Sequence, residues 1–126
     1  MNFTYSETQQ SIIEAIKLLM KDFDDDYWRT CDKEGRFPHQ FYDAVAKGGW
    51  LGIAMPQQYG GSNLGISEAA VLMQTISESG GGMSAASSIH MNIFGPHPIV
   101  VHGTEEQRSR WLPPLIQGKE KCCFGG

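Results

Sequence analysis

Histidine and cysteine side chains are the groups in this sequence that could move a proton, bind a metal ion or attack a substrate. They are His39, His90, His97 and His102, together with Cys31, Cys122 and Cys123. A catalytic histidine activates a neighbouring nucleophile, and none adjoins His90, the histidine in the most apolar surroundings. Three cysteines with one adjacent pair fit neither a disulfide framework nor zinc-ligand spacing. We therefore predict free, reduced thiols, and we name no catalytic residue.

Acidic residues cluster at Asp22, Asp24, Asp25 and Asp26, directly before an aromatic pair. We interpret the cluster as a solvated connector, because a calcium or magnesium site needs a ligand geometry that the sequence does not show. No metal site is predicted. The sequence also lacks the glycine-rich phosphate-binding motifs, so we interpret the triple glycine at 80–82 as a hinge or close-packing device.

The stretch Ser79–Pro98 is the strongest candidate for a binding surface. Its glycines and a run of small residues are followed by His90, Met91 and Phe94. Small residues permit close approach, and methionine and phenylalanine form adaptable apolar surfaces that suit an aliphatic ligand. The same residues at helical spacing are also typical of a packed core. The residues alone leave both interpretations open, a core helix and one wall of a ligand pocket.

Helical periodicity places this stretch in an all-α fold, an orthogonal to bundle-like array of about five to six helices. Capping boxes predict helix starts at Ser6 and Thr104, and apolar residues then recur on a 3.6-residue period. Other helices are predicted over about 38–47, from Ser67 to the triple glycine, over about 83–94, and from Pro98 to Gly103. Residues 31–38 are interpreted as a turn, and the last helix meets Pro113-Pro114.

Composition and charge narrow the class of protein. The chain has 40% hydrophobic and 19% charged residues and a formal net charge of −4, which is typical of a globular protein. Its ten Lys and Arg residues are scattered, so we predict no nucleic-acid surface. No apolar segment approaches the roughly 18 residues of a membrane span, and the polar N-terminus lacks a signal-peptide pattern. We therefore expect a cytoplasmic or matrix-like location and no membrane span.

The C-terminal residues differ in kind from the helical part. Cys122-Cys123-Phe124 is typical of the first residues of a buried strand, and two glycines follow. A single strand cannot satisfy its own backbone hydrogen-bonding groups. We therefore expect a strand-like stub, and either a chain that is the front part of something larger or one that pairs with a sheet elsewhere.

Five blocks of sequence are informative. They are FTYSETQQ at 3–10, DKEGRFP at 32–38, GGWLGIAMPQQYGGSNLG at 48–65, SESGGG at 77–82 and FGPHPIVVHGTEEQRSRWLPPLIQG at 94–118. The third and the last of these are more specific than amphipathic patterning requires. In this order the five blocks resemble the N-terminal helical domain of the acyl-CoA dehydrogenases. The resemblance implies that residues 1–119 form this helical domain and that residues 120–126 begin a middle β-domain.

The resemblance also implies a function. Enzymes of that family use FAD to introduce a trans double bond between Cα and Cβ of an acyl-CoA. A glutamate of their C-terminal helical bundle is the base, and the electrons usually pass to an electron-transferring flavoprotein. They commonly form homo-oligomers. The implied partners are therefore acyl-CoA, FAD, such an acceptor and further copies of the chain, and this fragment alone is expected to be inactive.

Site residues follow from the same resemblance. In the family, the helix matching residues 84–95 forms part of the acyl-chain pocket, which implicates Ser87, His90, Met91 and Phe94 in substrate binding. Phe124 and Gly126 match backbone positions that approach the flavin. Two alternatives remain open. One is a related flavin enzyme on the same scaffold, such as an acyl-CoA oxidase or nitroalkane oxidase, and the other is a non-enzymatic helical interaction or acyl-binding module.

Overall fold

Helices form all the regular secondary structure in the computed structural model of the chain, which describes residues 2–125. The α-helices are α1 (Glu7–Met20), α2 (Asp25–Glu34), α3 (His39–Lys47), α4 (Ile66–Ser77), α5 (Gly82–Phe94), α6 (His97–His102) and α7 (Glu105–Ile116). Two short 3-10 helices, Trp50–Gly52 and Gln57–Tyr59, connect α3 to α4. The predicted all-α class is confirmed, with one α-helix more in the described residues than the sequence predicted.

Capping boxes begin the first and last helices, as predicted. The Ser6 hydroxyl accepts the N–H of Gln9 at 3.2 Å, and Oε1 of Gln9 accepts the N–H of Ser6 at 3.1 Å. Thr104 and Gln107 form the same reciprocal pair, with distances of 3.2 and 2.9 Å. These bonds satisfy N–H groups that a helix start leaves without intrahelical partners. Both first turns are therefore held by side chains adjacent to them.

The acidic cluster is exposed to solvent, as predicted, but its last three residues begin a helix rather than a connector. Asp24 caps α2, and its carboxylate accepts the N–H of Tyr27 at 3.0 Å. Asp25 and Asp26 occupy the first turn, where the helix dipole favours negative charge. The helix also takes up much of the turn predicted at 31–38, because it continues to Glu34. Among residues 2–125, no cluster of three or more His, Cys, Asp or Glu residues could hold a metal ion.

Helix α4 begins one residue earlier than predicted and is tied to α1. The carboxylate of Glu68 accepts the N–H of Gly65 at 2.9 Å, which caps the helix ahead of the predicted start at Ser67. The other oxygen of the same carboxylate accepts an amide N–H of Gln9 at 3.2 Å. A single side chain thus caps α4 and joins it to α1, the helix against which α4 packs.

Helix α7 continues through the two prolines that it meets. Pro113 and Pro114 lie inside the helix, which ends at Ile116. Proline has no N–H, so the carbonyls of Ser109 and Arg110 lose their intrahelical donors. Both residues are exposed, and water can replace the missing hydrogen bonds. The helix therefore continues past the prolines, because the carbonyls without intrahelical donors lie on its exposed face.

The main core lies where α1, α3, α4 and α5 meet. Its buried residues are Ile12, Ile16, Met20, Phe23, Trp28, Phe41, Tyr42, Val45, Leu51, Ile53, Ala69, Val71, Leu72, Ile76, Ala85, Ile89 and Ile93. The ring of Phe41 packs edge-on against Phe23 and Trp28, with centroid distances of 5.4 and 5.1 Å. The Trp28 indole N–H donates to the carbonyl of Phe23 at 3.0 Å, so its polar edge is satisfied inside the core.

The triple glycine permits close packing between α2 and α5. A Cβ atom on Gly81 would lie 2.5 Å from Cε2 of Trp28 and 2.6 Å from Cβ of Ala85. Gly82 adopts a φ of +47°, a left-handed conformation that glycine reaches without strain. The bend and the close contact therefore lie at adjacent residues, in agreement with the predicted hinge and close-packing device.

The described C-terminal residues form no strand. Residues 121–125 have no regular secondary structure, and the Phe124 side chain is 80% exposed. Residues 121–125 thus form no strand by themselves, and the expected pairing with a sheet elsewhere stays a prediction. Within the same described residues, no helix is long and apolar enough to cross a membrane.

Candidate functional site

Helix α5 has two chemically different faces. Ala85, Ile89 and Ile93 point into the main core and are at most 3% exposed. Ser87 and His90 lie on the opposite, exposed face. The core interpretation is therefore confirmed for one face of the helix, and the ligand-pocket interpretation stays a prediction for the other face.

An apolar groove of about 460 Å³ lies between α4 and α5. It is lined by Met73, Ser77, Met83, Ala86, Ser87, His90 and Met91. Three thioether side chains give the groove a polarizable and adaptable surface, while two hydroxyl groups and one imidazole supply the polar atoms. This composition suits an apolar ligand better than a phosphate or a metal ion.

Three of the four predicted substrate residues line this groove. Ser87, His90 and Met91 are spaced three and four residues apart, so they share the α5 face that borders α4. Phe94 does not line the groove. It is half-buried against the main core, and its ring centroid lies 5.4 Å from that of His90. Phe94 can thus support the position of the His90 ring, whereas its contact with substrate stays a prediction.

The groove residues suit an apolar ligand, but they include no pair of groups that could act as acid and base. His90 is the one titratable side chain among its seven lining residues. Its aromatic neighbour Phe94 neither donates nor accepts a proton. The arrangement can therefore enclose an apolar chain and place one imidazole beside it, and the groove residues alone supply no acid–base pair.

Asn92 is a functional candidate that the sequence analysis did not consider. It is 3% exposed, and its amide nitrogen lies 3.0 Å from the Tyr42 hydroxyl, 3.1 Å from the Leu115 carbonyl and 2.9 Å from the Glu120 carbonyl. Its side-chain oxygen accepts the N–H of Cys122 at 3.2 Å. A polar residue spaced three from Ile89 on the predicted core face was the signal that could have revealed it.

Residues 120–125, the C-terminal segment, make a second contact with the helical domain, in which Lys121 packs against Tyr42. The Lys121 ammonium lies 4.3 Å from the centroid of the Tyr42 ring and 5.3 Å from that of Phe37, within cation–π range. Burial raises the pKa of Tyr42 to about 12, with Cys122 and Asp43 acting in the same direction. The phenol is therefore neutral at physiological pH and remains a hydrogen-bonding partner for Asn92.

The predicted cofactor residues lie at the end of this segment. Phe124 is exposed, and a Cβ on Gly125 would contact nothing within 4 Å. The structure therefore leaves Phe124 accessible to a group outside the described residues. Gly126, the other predicted cofactor residue, lies outside residues 2–125.

The structure is an all-α domain with an apolar groove between α4 and α5. The sequence profile of the family described as "Acyl-CoA dehydrogenase, N-terminal domain" matches residues 6–119. The chain therefore belongs to the acyl-CoA dehydrogenase family, as the resemblance predicted.

Relatives cover almost the whole of this chain. It is 31% identical to "Probable acyl-CoA dehydrogenase YngJ" of Bacillus subtilis (strain 168), covering 99% of the chain and 33% of that protein. It is 30% identical to "3-(aryl)acrylate reductase" of Clostridium sporogenes (strain ATCC 15579), covering 88% of the chain and 30% of that protein. It is 32% identical to "Caffeyl-CoA reductase-Etf complex subunit CarC" of Acetobacterium woodii, again covering 88% of the chain and 30% of that protein. The chain thus spans about a third of the length of these relatives.

Proposed function

We propose that this chain forms one wall of the acyl pocket in an FAD-dependent acyl-CoA dehydrogenase. The reaction is the α,β-dehydrogenation of an acyl-CoA to a trans-2-enoyl-CoA. The observation that carries the proposal is the methionine-rich groove between α4 and α5, on a domain that the family profile matches over residues 6–119. An acyl tail needs apolar walls and few polar partners, and this groove provides both.

Each groove residue has a defined part in this proposal. Met73, Met83 and Met91 contact the tail, and their flexible side chains adjust to its shape. Ser87 and His90 lie beside the tail and limit the polarity and width of the groove. His90 is a lining residue in this account. The base that removes the α-proton belongs to a part of the enzyme outside the groove.

FAD fits the exposed end of the C-terminal segment rather than the helical core. Phe124 is 80% exposed, and residues 120–122 are held on the domain by Asn92. Phe124 and Gly126 are therefore the proposed contacts of this chain with the flavin. When bound, FAD accepts the hydride that leaves Cβ of the substrate, and this chain supplies a wall and an edge contact.

Electron-transferring flavoprotein is the proposed electron acceptor. The support is the name of one relative, which is a subunit of a caffeyl-CoA reductase-Etf complex. Two of the three relatives are named as reductases, so reduction of a 2-enoyl substrate is the second candidate direction. Both directions use the same two substrate carbons, and the same groove serves both.

Anaerobic titration of the enzyme that contains this domain tests the proposal. We expect a saturated acyl-CoA to bleach the flavin absorbance band, and electron-transferring flavoprotein to restore it. Restoration by dioxygen with hydrogen peroxide release would instead indicate an oxidase. Bleaching of the flavin by a nitroalkane would contradict the proposed function. The proposed function would also be contradicted if no acyl-CoA bleached the flavin and no enoyl-CoA reoxidised the reduced flavin. The 126-residue chain alone is expected to be colourless and to leave an acceptor dye unreduced.

A further inference from the structure

Met91 and Asn92 are adjacent residues of α5, and together they connect the groove to the C-terminal segment. The Met91 side chain lines the groove, while its backbone carbonyl accepts the Cys122 thiol at 2.9 Å. The next residue, Asn92, points to the other side of the helix and binds the backbone on both sides of Lys121. Its amide donates to the Glu120 carbonyl, and its oxygen accepts the N–H of Cys122.

The hydrogen bonds of Asn92 require an amide in one orientation. Its Nδ2 atom faces three oxygen atoms, whereas its Oδ1 atom faces an N–H group. A carboxylate has no N–H group to offer, so the substitution Asn92→Asp would set a negative oxygen against the carbonyls of Leu115 and Glu120. An aliphatic side chain would remove all of these hydrogen bonds, and the Leu115 carbonyl would keep only the N–H of Gly118, at 3.2 Å. The site is thus specific for asparagine rather than for any residue of its size.

From these contacts we infer that Asn92 is a positioning residue, which fixes residues 120–122 on the reverse side of the groove helix. This inference rests on the proposed function for its consequence. The segment leads to Phe124, the proposed flavin contact, so Asn92 sets the position of that contact relative to the acyl groove. Tyr42 and Lys121 support the same segment, with the Lys121 ammonium over the Tyr42 ring.

The three cysteines provide a direct test, since they lie in three different environments. Cys31 is buried in α2, Cys122 is half-buried in the Asn92 contact, and Cys123 is exposed. In a Cys123→Ser background, maleimide labelling followed by peptide mapping reports on Cys122 and Cys31 separately. Labelling of Cys122 measures release of the segment, and labelling of Cys31 measures opening of the whole domain.

We expect Asn92→Asp and Asn92→Ala to accelerate labelling of Cys122 by about tenfold or more, because local opening follows the loss of its hydrogen bonds. Cys31 should remain protected in both variants. Thr75→Val is the matched control, since it removes another buried polar bond, from the Thr75 hydroxyl to the Val71 carbonyl on α4. This control should leave the Cys122 rate unchanged.

The inference is overturned if the Cys122 rate is unchanged in both Asn92 variants. It is also overturned if Cys31 and Cys122 become reactive together in both, because Asn92 would then be a residue of the core alone. In the enzyme that contains this domain, Asn92→Asp should lower kcat for flavin reduction more than it raises KM for acyl-CoA. Unchanged kcat would overturn the positioning role. Absence of any acyl-CoA activity in the unsubstituted enzyme would contradict only the proposed function, because the labelling result does not depend on it.

Discussion

The phenol of Tyr59 donates a hydrogen bond of 2.7 Å to the carboxylate of Glu105. This bond joins the 3-10 helix at Gln57–Tyr59 to the first turn of α7. Tyr59 also packs with Leu112 and Ile116 in a second, smaller apolar cluster. The bond therefore fixes one end of α7 while the cluster fixes its buried face.

Removal of the Tyr59 hydroxyl should change the titration of Glu105. The Tyr59 hydroxyl, followed by that of Ser109, lowers the pKa of the Glu105 carboxyl below its ordinary value of 4.5, because both donate to the charged form. Tyr59→Phe should raise this pKa towards 4.5, and Ser109→Ala should raise it by less. NMR titration of the side-chain carboxyl carbon measures both.

The lowered pKa of Glu105 also makes the stability of the protein depend on pH. A folded-state pKa below the unfolded value means that Glu105 contributes stability above pH 4.5, which is lost as the pH falls through the folded value. The wild-type protein should thus lose more free energy of unfolding on acidification than Tyr59→Phe does. Equal losses, or an unchanged Glu105 titration, would show that the bond does not form in solution.

Substitution of Gly81 should destabilise the domain through a clash rather than through backbone strain. Gly81→Ala places a methyl group against Trp28 and Ala85, and such overpacking costs about 1–3 kcal/mol. Gly82→Ala is the matched comparison, because it meets no neighbour but must adopt a φ of +47°. Its cost should be about 1 kcal/mol. Urea unfolding that ranks Gly82→Ala as clearly the more damaging change would refute this assignment.

Tyr42 should make stability depend on pH in the alkaline range. Its pKa is about 12 in the folded protein against an ordinary value of 10.0, mainly because of burial. The folded state therefore retains a proton that the unfolded state loses, and stability present below pH 10 is lost between pH 10 and about 12. Tyr42→Phe should show a shallower decline of the free energy of unfolding over this range. Parallel declines in the two proteins would indicate that the Tyr42 pKa is not raised.

A large side chain at position 91 should restrict the tails that the enzyme accepts. Met91→Trp fills the groove, and each methylene that can no longer be buried should cost roughly 0.8 kcal/mol, or about fourfold in kcat/KM. Short acyl-CoA substrates should be affected least. Val101→Trp is the control, since Val101 is an exposed residue of α6 outside the groove lining. Identical chain-length profiles for the two variants would count against Met91 as a pocket residue.

Most of the helices could be predicted because their signals are local. The capping boxes at Ser6 and Thr104 join residues three apart, and the apolar period of α1 and α4 relates residues three or four apart. Helix α2 is not among the predicted helices, because a cluster of carboxylates is typical of a solvated connector as well as of a helix start. Asp24 caps a helix whose buried side consists of only Trp28 and Cys31, so hydrophobic periodicity gave it little support.

The candidate site was only partly predictable because it depends on tertiary contacts. The resemblance identified Ser87, His90 and Met91, but only packing against α4 brings Met73 and Ser77 to the same groove. The spacing of Asn92 from Ile89 indicates that it is buried, but its partners cannot be predicted from that spacing because they lie 23 to 50 residues away. The spacing of residues within one helix does not predict contacts with segments so far away in the sequence.

Photoaffinity labelling tests the central claim most directly. An acyl-CoA with a diazirine at the end of its tail is irradiated with the enzyme that contains this domain, and the modified peptides are mapped. We predict labels on Met73, Met83 or Met91, which disappear when unlabelled acyl-CoA competes and diminish in Met91→Trp. Competable labels confined to residues outside the α4–α5 groove would contradict the assignment of this groove as a wall of the acyl pocket.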